Sequence, residues 1–281
     1  MRTPILCLLL FATVPAHADE IVAETEHLRW VWNDDAMDAE SRATVQERGE
    51  ATYRKVVELL GAGREARTVV LMQGPAAQPD GGWGIPHVDS LGRVHLYRFG
   101  PTHHDYLSAF AHELVHSFRA GRLPHHDWFF EEGFAELVAL RVNEGTRGFP
   151  WYDFPVDLVA GQWVAVDADL PLPVLRERHG ELNLPCKLQV YALRGSFFDD
   201  LGRRFGDAAM LEMAARERAG ALEDYREILG ADLESLAAAW RERLLARYAA
   251  IEDAAAEAAR YRTESPARYQ AVCAPDGTVR R

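Results

Sequence analysis

The spacing of apolar positions changes period along the chain. His27-Leu28-Arg29-Trp30-Val31-Trp32 alternates and is rich in aromatic and β-branched side chains. That pattern predicts a strand, ended by Asn33-Asp34-Asp35. Residues 39–60 follow a helical period, and Gly61 and Gly63 stop it. Arg67 to Met72 predicts a second strand. Gln73 to His87 holds four glycines and three prolines, so an irregular loop is expected. Gly92 to Phe99 alternates again and predicts a third strand. Thr102, with Asp105 three residues on, is placed to cap a helix running to about Ala120, with Gly121 as its stop. Its core stripe is Leu107, Phe110, Leu114 and Phe118. Asp127 can cap the next helix. The pattern breaks down between Gly145 and Pro185, where loops walling a cleft are expected. Helices are predicted over 187–205, ended at Gly206, and over 222–229 and 233–248. The rest starts helical and ends in a tail containing proline and glycine. The order strand, helix, strand, loop, strand and then helices predicts an α+β fold: a small mixed sheet beside a mostly helical body. The expected division is an α/β lobe over 19–100, a helical lobe over 101–250, and a helix and tail over 251–281.

Composition narrows the partners. The chain has 281 residues, is 48% hydrophobic and carries a net charge of −12. It is long enough for a sizeable core. No basic cluster stands out, which argues against nucleic acid as a partner. Residues 1–18 have the pattern of an export signal. Arg2 is the positive start, Ile5 to Val14 form a short apolar run, and Ala16-His17-Ala18 is a small-x-small cleavage site. A buried strand or a membrane anchor is the alternative, but the run is too short to span a bilayer as a helix. No second long apolar run follows, so no membrane span is expected and the mature protein should be secreted or periplasmic. Removal of the signal leaves Cys186 and Cys273. In an exported protein these are candidates for a disulfide, which would contribute about 4 kcal/mol on the chain-entropy model. Two separate thiols are the alternative.

Two short blocks carry candidate chemistry. The first is His112-Glu113-Leu114-Val115-His116, and the second is Trp128-Phe129-Phe130-Glu131-Glu132-Gly133-Phe134-Ala135-Glu136. Histidines four apart on a helix lie on one face and can aim at one ion. A zinc hydrolase needs three protein ligands and an open position for water. Glu113, next to the first histidine, is placed to take the water's proton and pass it to a leaving amine. The five-residue pattern alone fixes only three positions, and in many helices it is just two solvent-facing histidines. Three features add to it here. The histidines lie opposite an apolar stripe, a helix rich in carboxylates follows closely, and the chain carries an export pattern.

These residues resemble the gluzincin metallopeptidases, in particular the peptidase-MA-like group related to zinc aminopeptidases. The resemblance covers most of residues 25 to 250, although only the two metal blocks are specific. It implies a zincin-like fold, a Zn2+ cofactor and hydrolysis of a peptide or protein substrate. It implies His112, His116 and Glu132 as metal ligands, Glu132 being the glutamate of the Glu-Gly-x-Ala segment, and Glu113 as general base. Glu131 is the rival ligand, 100° away around the helix. Glu136 could hold a ligand histidine from behind, or be an exposed helix charge. Tyr191 matches a tyrosine that often begins the third helix of the group and could stabilise the oxyanion. It also falls on a stripe with Gly195, Phe198 and Phe205, as a core tyrosine would. The resemblance further implies that the strand Arg93 to Phe99 is the edge strand that pairs with substrate, with the loop Gly81-Gly82-Trp83-Gly84 beside it. His103, His104, His125 and His126 could bind substrate or a second ion, or be solvated loop residues, and Arg122 stands where a metzincin would have a third histidine. No Gly-x-Met-Glu-Asn segment is present, which leaves the choice between exo- and endopeptidase open. A secreted binding protein on a catalytically retired peptidase fold is the alternative to an active enzyme.

Overall fold

A computed structural model describes residues 21–33, 37–75, 84–98, 107, 109–120, 127–143, 154–216, 218–265, 270–274 and 276–279. Five strands form one mixed sheet: β1 (Ile21–Glu24), β2 (Leu28–Trp32), β3 (Thr68–Pro75), β4 (His87–Val88) and β5 (Val94–Arg98). Their spatial order is β1-β2-β3-β5-β4. The three central strands are parallel, and the outer two run antiparallel to their neighbours. Register aligns Trp30, Val70 and Val94 in one row and Trp32, Met72 and Leu96 in the next. All six are buried. A period of two places every second side chain on one face, so these rows form the sheet's core face.

The described helices are α1 (Ala39–Leu60), α2 (Phe110–Arg119), α3 (Trp128–Val142), α4 (Val156–Val164), α5 (Leu172–Glu177), α6 (Leu184–Phe205), α7 (Asp207–Ala215), α8 (Leu222–Leu229), α9 (Leu233–Ala249) and α10 (Ala254–Glu264). The expected α+β architecture is present. α2 lies under the sheet, with the Phe110 ring 5.8 Å from that of Trp30. α3 is almost entirely buried, its glutamates included, as a helix enclosed by others must be. α6 packs along it. Gly133 makes this possible: a Cβ there would come within 2.3 Å of the Phe198 ring.

Buried aspartates tie the helical body together. Arg243 and Arg247 both bond Asp200, Arg247 also bonds Asp157, and Arg141 bonds Asp199. A disulfide joins Cys186, in the first turn of α6, to Cys273 in the tail. Gln189 adds to that clasp, donating to the Ala168 carbonyl and accepting from the Cys273 amide. No helix among the described residues is long and apolar enough to cross a membrane.

Several expectations need correction. The segment 145–185 is not all loop: α4 is buried along its length and packs against α6 and α9. Its run Val156 to Val164 is mostly apolar, and its polar residues Asp157 and Gln162 lie on different faces, so it lacks the amphipathic period that marks a surface helix. β1, β4 and α7 were not anticipated, and α6 begins at Leu184 rather than at 187. The strand Arg93 to Phe99 is not at the edge. β5 is enclosed between β3 and β4, and the short β4 takes the outer position. The proposed cap Thr102 and the histidines His103, His104, His125 and His126 lie outside the described residues. So do the export pattern and residues 81–83 of the glycine loop.

Candidate metal centre

The site is built on α2 and α3. Phe110, Leu114 and Phe118 hold α2 in the core. That orientation turns His112 and His116, one turn apart, toward α3. Their Nε2 atoms are 3.0 Å apart. Asp127 starts α3, its carboxylate accepting from the amides of Phe129 and Phe130. A capped start fixes the rotation of the helix, and in this rotation Glu132 faces the histidines. Its Oε2 lies 3.3 Å from Nε2 of His112, and its Oε1 lies 3.6 Å from Nε2 of His116. A tetrahedral ion with bonds of about 2.1 Å separates its ligand atoms by about 3.4 Å. The three donors therefore have the spacing and the chemistry of a group that could hold a metal ion.

Glu131 borders the same site but lies outside the donor cluster. Arg119 grips both of its oxygens, at 2.8 and 2.6 Å, and also donates to the Ala214 carbonyl. Glu136, one turn after Glu132, is fully buried, and its Oε1 lies 3.1 Å from Nδ1 of His112. The ring is therefore held between two carboxylates, Nδ1 toward Glu136 and Nε2 toward Glu132. Of the two roles open to Glu136, the buried support fits and the exposed charge does not.

A cavity of 460 Å3 opens over these donors. Glu113 and Tyr191 line it together with His112, His116 and Glu132, so all five candidate residues meet there. Tyr191 packs edge-on against His112, ring centroids 6.0 Å apart. The opposite wall is Ile85 to Asp89, the β4 segment, and Trp128 stands at the rim, 56% exposed. Sequence reasoning treated Ile85 to His87 as part of a loop. Two paired residues are too few to generate an alternating signal.

Burial pushes the Glu113 carboxyl up from its ordinary value. A carboxylate so placed holds a proton more readily than one in water. At Glu132 burial opposes ionisation, but His116 and His112 outweigh it and hold the carboxyl well below its usual range. For His112 burial opposes charge, yet Glu136 and Glu132 overcome it and raise the imidazole well above its usual value. Burial, then the charge of Glu132, pushes the Tyr191 phenol well up, so it is a proton donor.

Among the described residues, one other group could gather a cation: Glu26, His27 and Glu50. There both oxygens of Glu50 already accept bonds, from Thr25 Oγ1 and from His27. That arrangement pins α1 to the β1–β2 turn.

The chain matches no family model, and comparisons with the curated proteins and with the solved structures return no match.

Proposed function

We propose that this chain is a zinc-dependent peptidase of gluzincin type, working outside the cytoplasm on a peptide or protein substrate. The observation that carries the reading is the triangle of His112, His116 and Glu132 donors, spaced 3.0 to 3.6 Å, with Glu113 on the wall of the same cavity. A sheet with an antiparallel outer strand above that cavity agrees with a zincin-like fold. The disulfide agrees with an oxidising compartment.

The division of labour follows from position. His112, His116 and Glu132 would hold the ion, and Glu136 keeps His112 in the correct tautomer. Zinc bound there would acidify water and polarise the scissile carbonyl. Glu113 takes the proton of the attacking water and delivers it to the departing amine. Its raised affinity for a proton suits both halves of that transfer. The Tyr191 phenol donates to the developing oxyanion. An extended substrate would add to the outer edge of β4, which has no strand partner among the described residues, and main-chain pairing would align it.

Metal content and hydrolysis together test the proposal. The purified protein should carry about one zinc per chain, consistent with one three-ligand site, and should cleave members of a peptide library. A chain that binds zinc but cleaves nothing would favour the retired binding protein. A chain that binds none after reconstitution would remove the metal centre altogether.

A further inference from the structure

Positions 191, 194, 195 and 198 share one face of α6. The close approach of α6 to α3 at Gly133 turns that face toward Glu132. Arg194 lies there with no exposure to solvent. Its Nη2 is 3.6 Å from Oε2 of Glu132, and its guanidinium carbon is 4.7 Å from the centre of the Tyr191 ring. None of its three nitrogens makes a hydrogen bond among the described residues.

That setting differs from those of other arginines in the fold. Arg141, Arg243 and Arg247 lie partly in solvent and bond aspartates directly. A fully buried guanidinium with unfilled donors is a poor stabilising device, since an apolar side chain of similar volume would fill the space at less cost. Charge gives it a purpose. The site holds three buried carboxylates: Glu113, Glu132 and Glu136. Glu131 is matched separately by Arg119. A divalent ion supplies two positive charges toward those three negative ones, and Arg194 supplies the third.

We propose that Arg194 is the resident counter-cation of the metal centre: a positioning residue that shares Glu132 with the metal, seats Tyr191, and holds metal affinity below its maximum. The inference rests on the zinc reading above. In the metal-free protein the guanidinium steadies Glu132 beside its fellow carboxylates. When a divalent ion binds, two cations are drawn to one carboxylate and repel each other. The coupling is reciprocal, so removing one cation strengthens the hold on the other. Loss of Arg194 also frees Glu132 to rotate, which works against binding. The repulsion is the larger effect, because Arg194 is fully buried against the carboxylate that the ion would share.

The test is zinc affinity by competition with a chromogenic chelator at one fixed pH, on wild type, Arg194→Met and Arg194→Lys. Expected is zinc binding roughly tenfold or more tighter in Arg194→Met, with Arg194→Lys returning most of the way to wild type. Thermal unfolding without metal should show Arg194→Met less stable than wild type. A purely structural arginine would also lower stability, but would leave affinity unchanged or weakened. That result, in a wild type that binds one zinc, overturns the proposal and leaves the function reading standing. A wild type that binds no zinc overturns both. If Arg194→Met does not fold, Arg194→Gln, which keeps donors without the charge, reads the same quantity.

Discussion

Glu131 and Glu132 are adjacent, both buried and chemically identical, so exchanging each for glutamine separates metal binding from structure. Glu131→Gln removes one member of a buried, forked ion pair with Arg119. Breaking such a pair from one side costs about 3–5 kcal/mol. Arg119 keeps its bond to the Ala214 carbonyl and can still donate to the glutamine oxygen. The lower end, about 3 kcal/mol, is therefore expected, a fall of roughly 6–12 °C in melting temperature for a domain of this size. His112, His116 and Glu132 are untouched in this variant. Zinc at about a thousand times its dissociation constant contributes about 4 kcal/mol, a rise of roughly 8–16 °C. Glu131→Gln should melt early and still show that rise. Glu132→Gln should show no rise with zinc, because one corner of the donor triangle has lost its charge. The assay is thermal unfolding by circular dichroism with and without added zinc, after stripping with chelator. A zinc-dependent rise that survives Glu132→Gln and vanishes in Glu131→Gln would refute the assignment and move the ligand by one residue.

Other consequences can be checked on the same preparations. Glu113→Gln should retain zinc by elemental analysis while losing hydrolysis by about 10²-fold or more, as for a lost general base; unchanged turnover would sink the mechanism. Cys273→Ser should destabilise the protein by about 4 kcal/mol in denaturant titrations through loss of the loop constraint, and an unchanged midpoint would show that the clasp does not restrict the unfolded chain. Glu50 gives a pH dependence. Burial opposes its charge, but bonds from Thr25 and His27 outweigh that and lower its carboxyl in the folded state. Its contribution is therefore fully present above the unfolded value of about 4.3 and is lost as pH falls through the folded value. Melting temperatures between pH 6 and pH 3 should fall less steeply in Glu50→Gln than in wild type; parallel curves would argue against it.

What could be read from the sequence follows the physics of each segment. Strands β2 and β5 alternate and β3 is a short apolar run bounded by turn residues, so all three were legible. The cap at Asp127 and the spacing from His112 to His116 are local, and both hold within one turn of helix. The choice between Glu131 and Glu132 is different in kind. Spacing says only that one of the two faces the histidines; Arg119, twelve residues earlier, claims Glu131 in three dimensions. Arg194 carries no sequence signal, since a lone arginine in a helix is ordinarily a solvated one. Only the close packing at Gly133 encloses it. α4 failed for the opposite reason: a helix buried on every side loses the polar stripe by which helices are recognised. α3 is buried almost as fully, and there the cap and the carboxylates carry the signal. A buried helix with three glutamates must find a partner for each charge. In this fold they are Arg119 for Glu131, the imidazoles of His112 and His116 and Arg194 for Glu132, and the far nitrogen of His112 for Glu136. The pairing is position-specific, so exchanging the roles of any two of these glutamates would require rotating the helix that the Asp127 cap and the Phe129 and Phe130 rings hold in place.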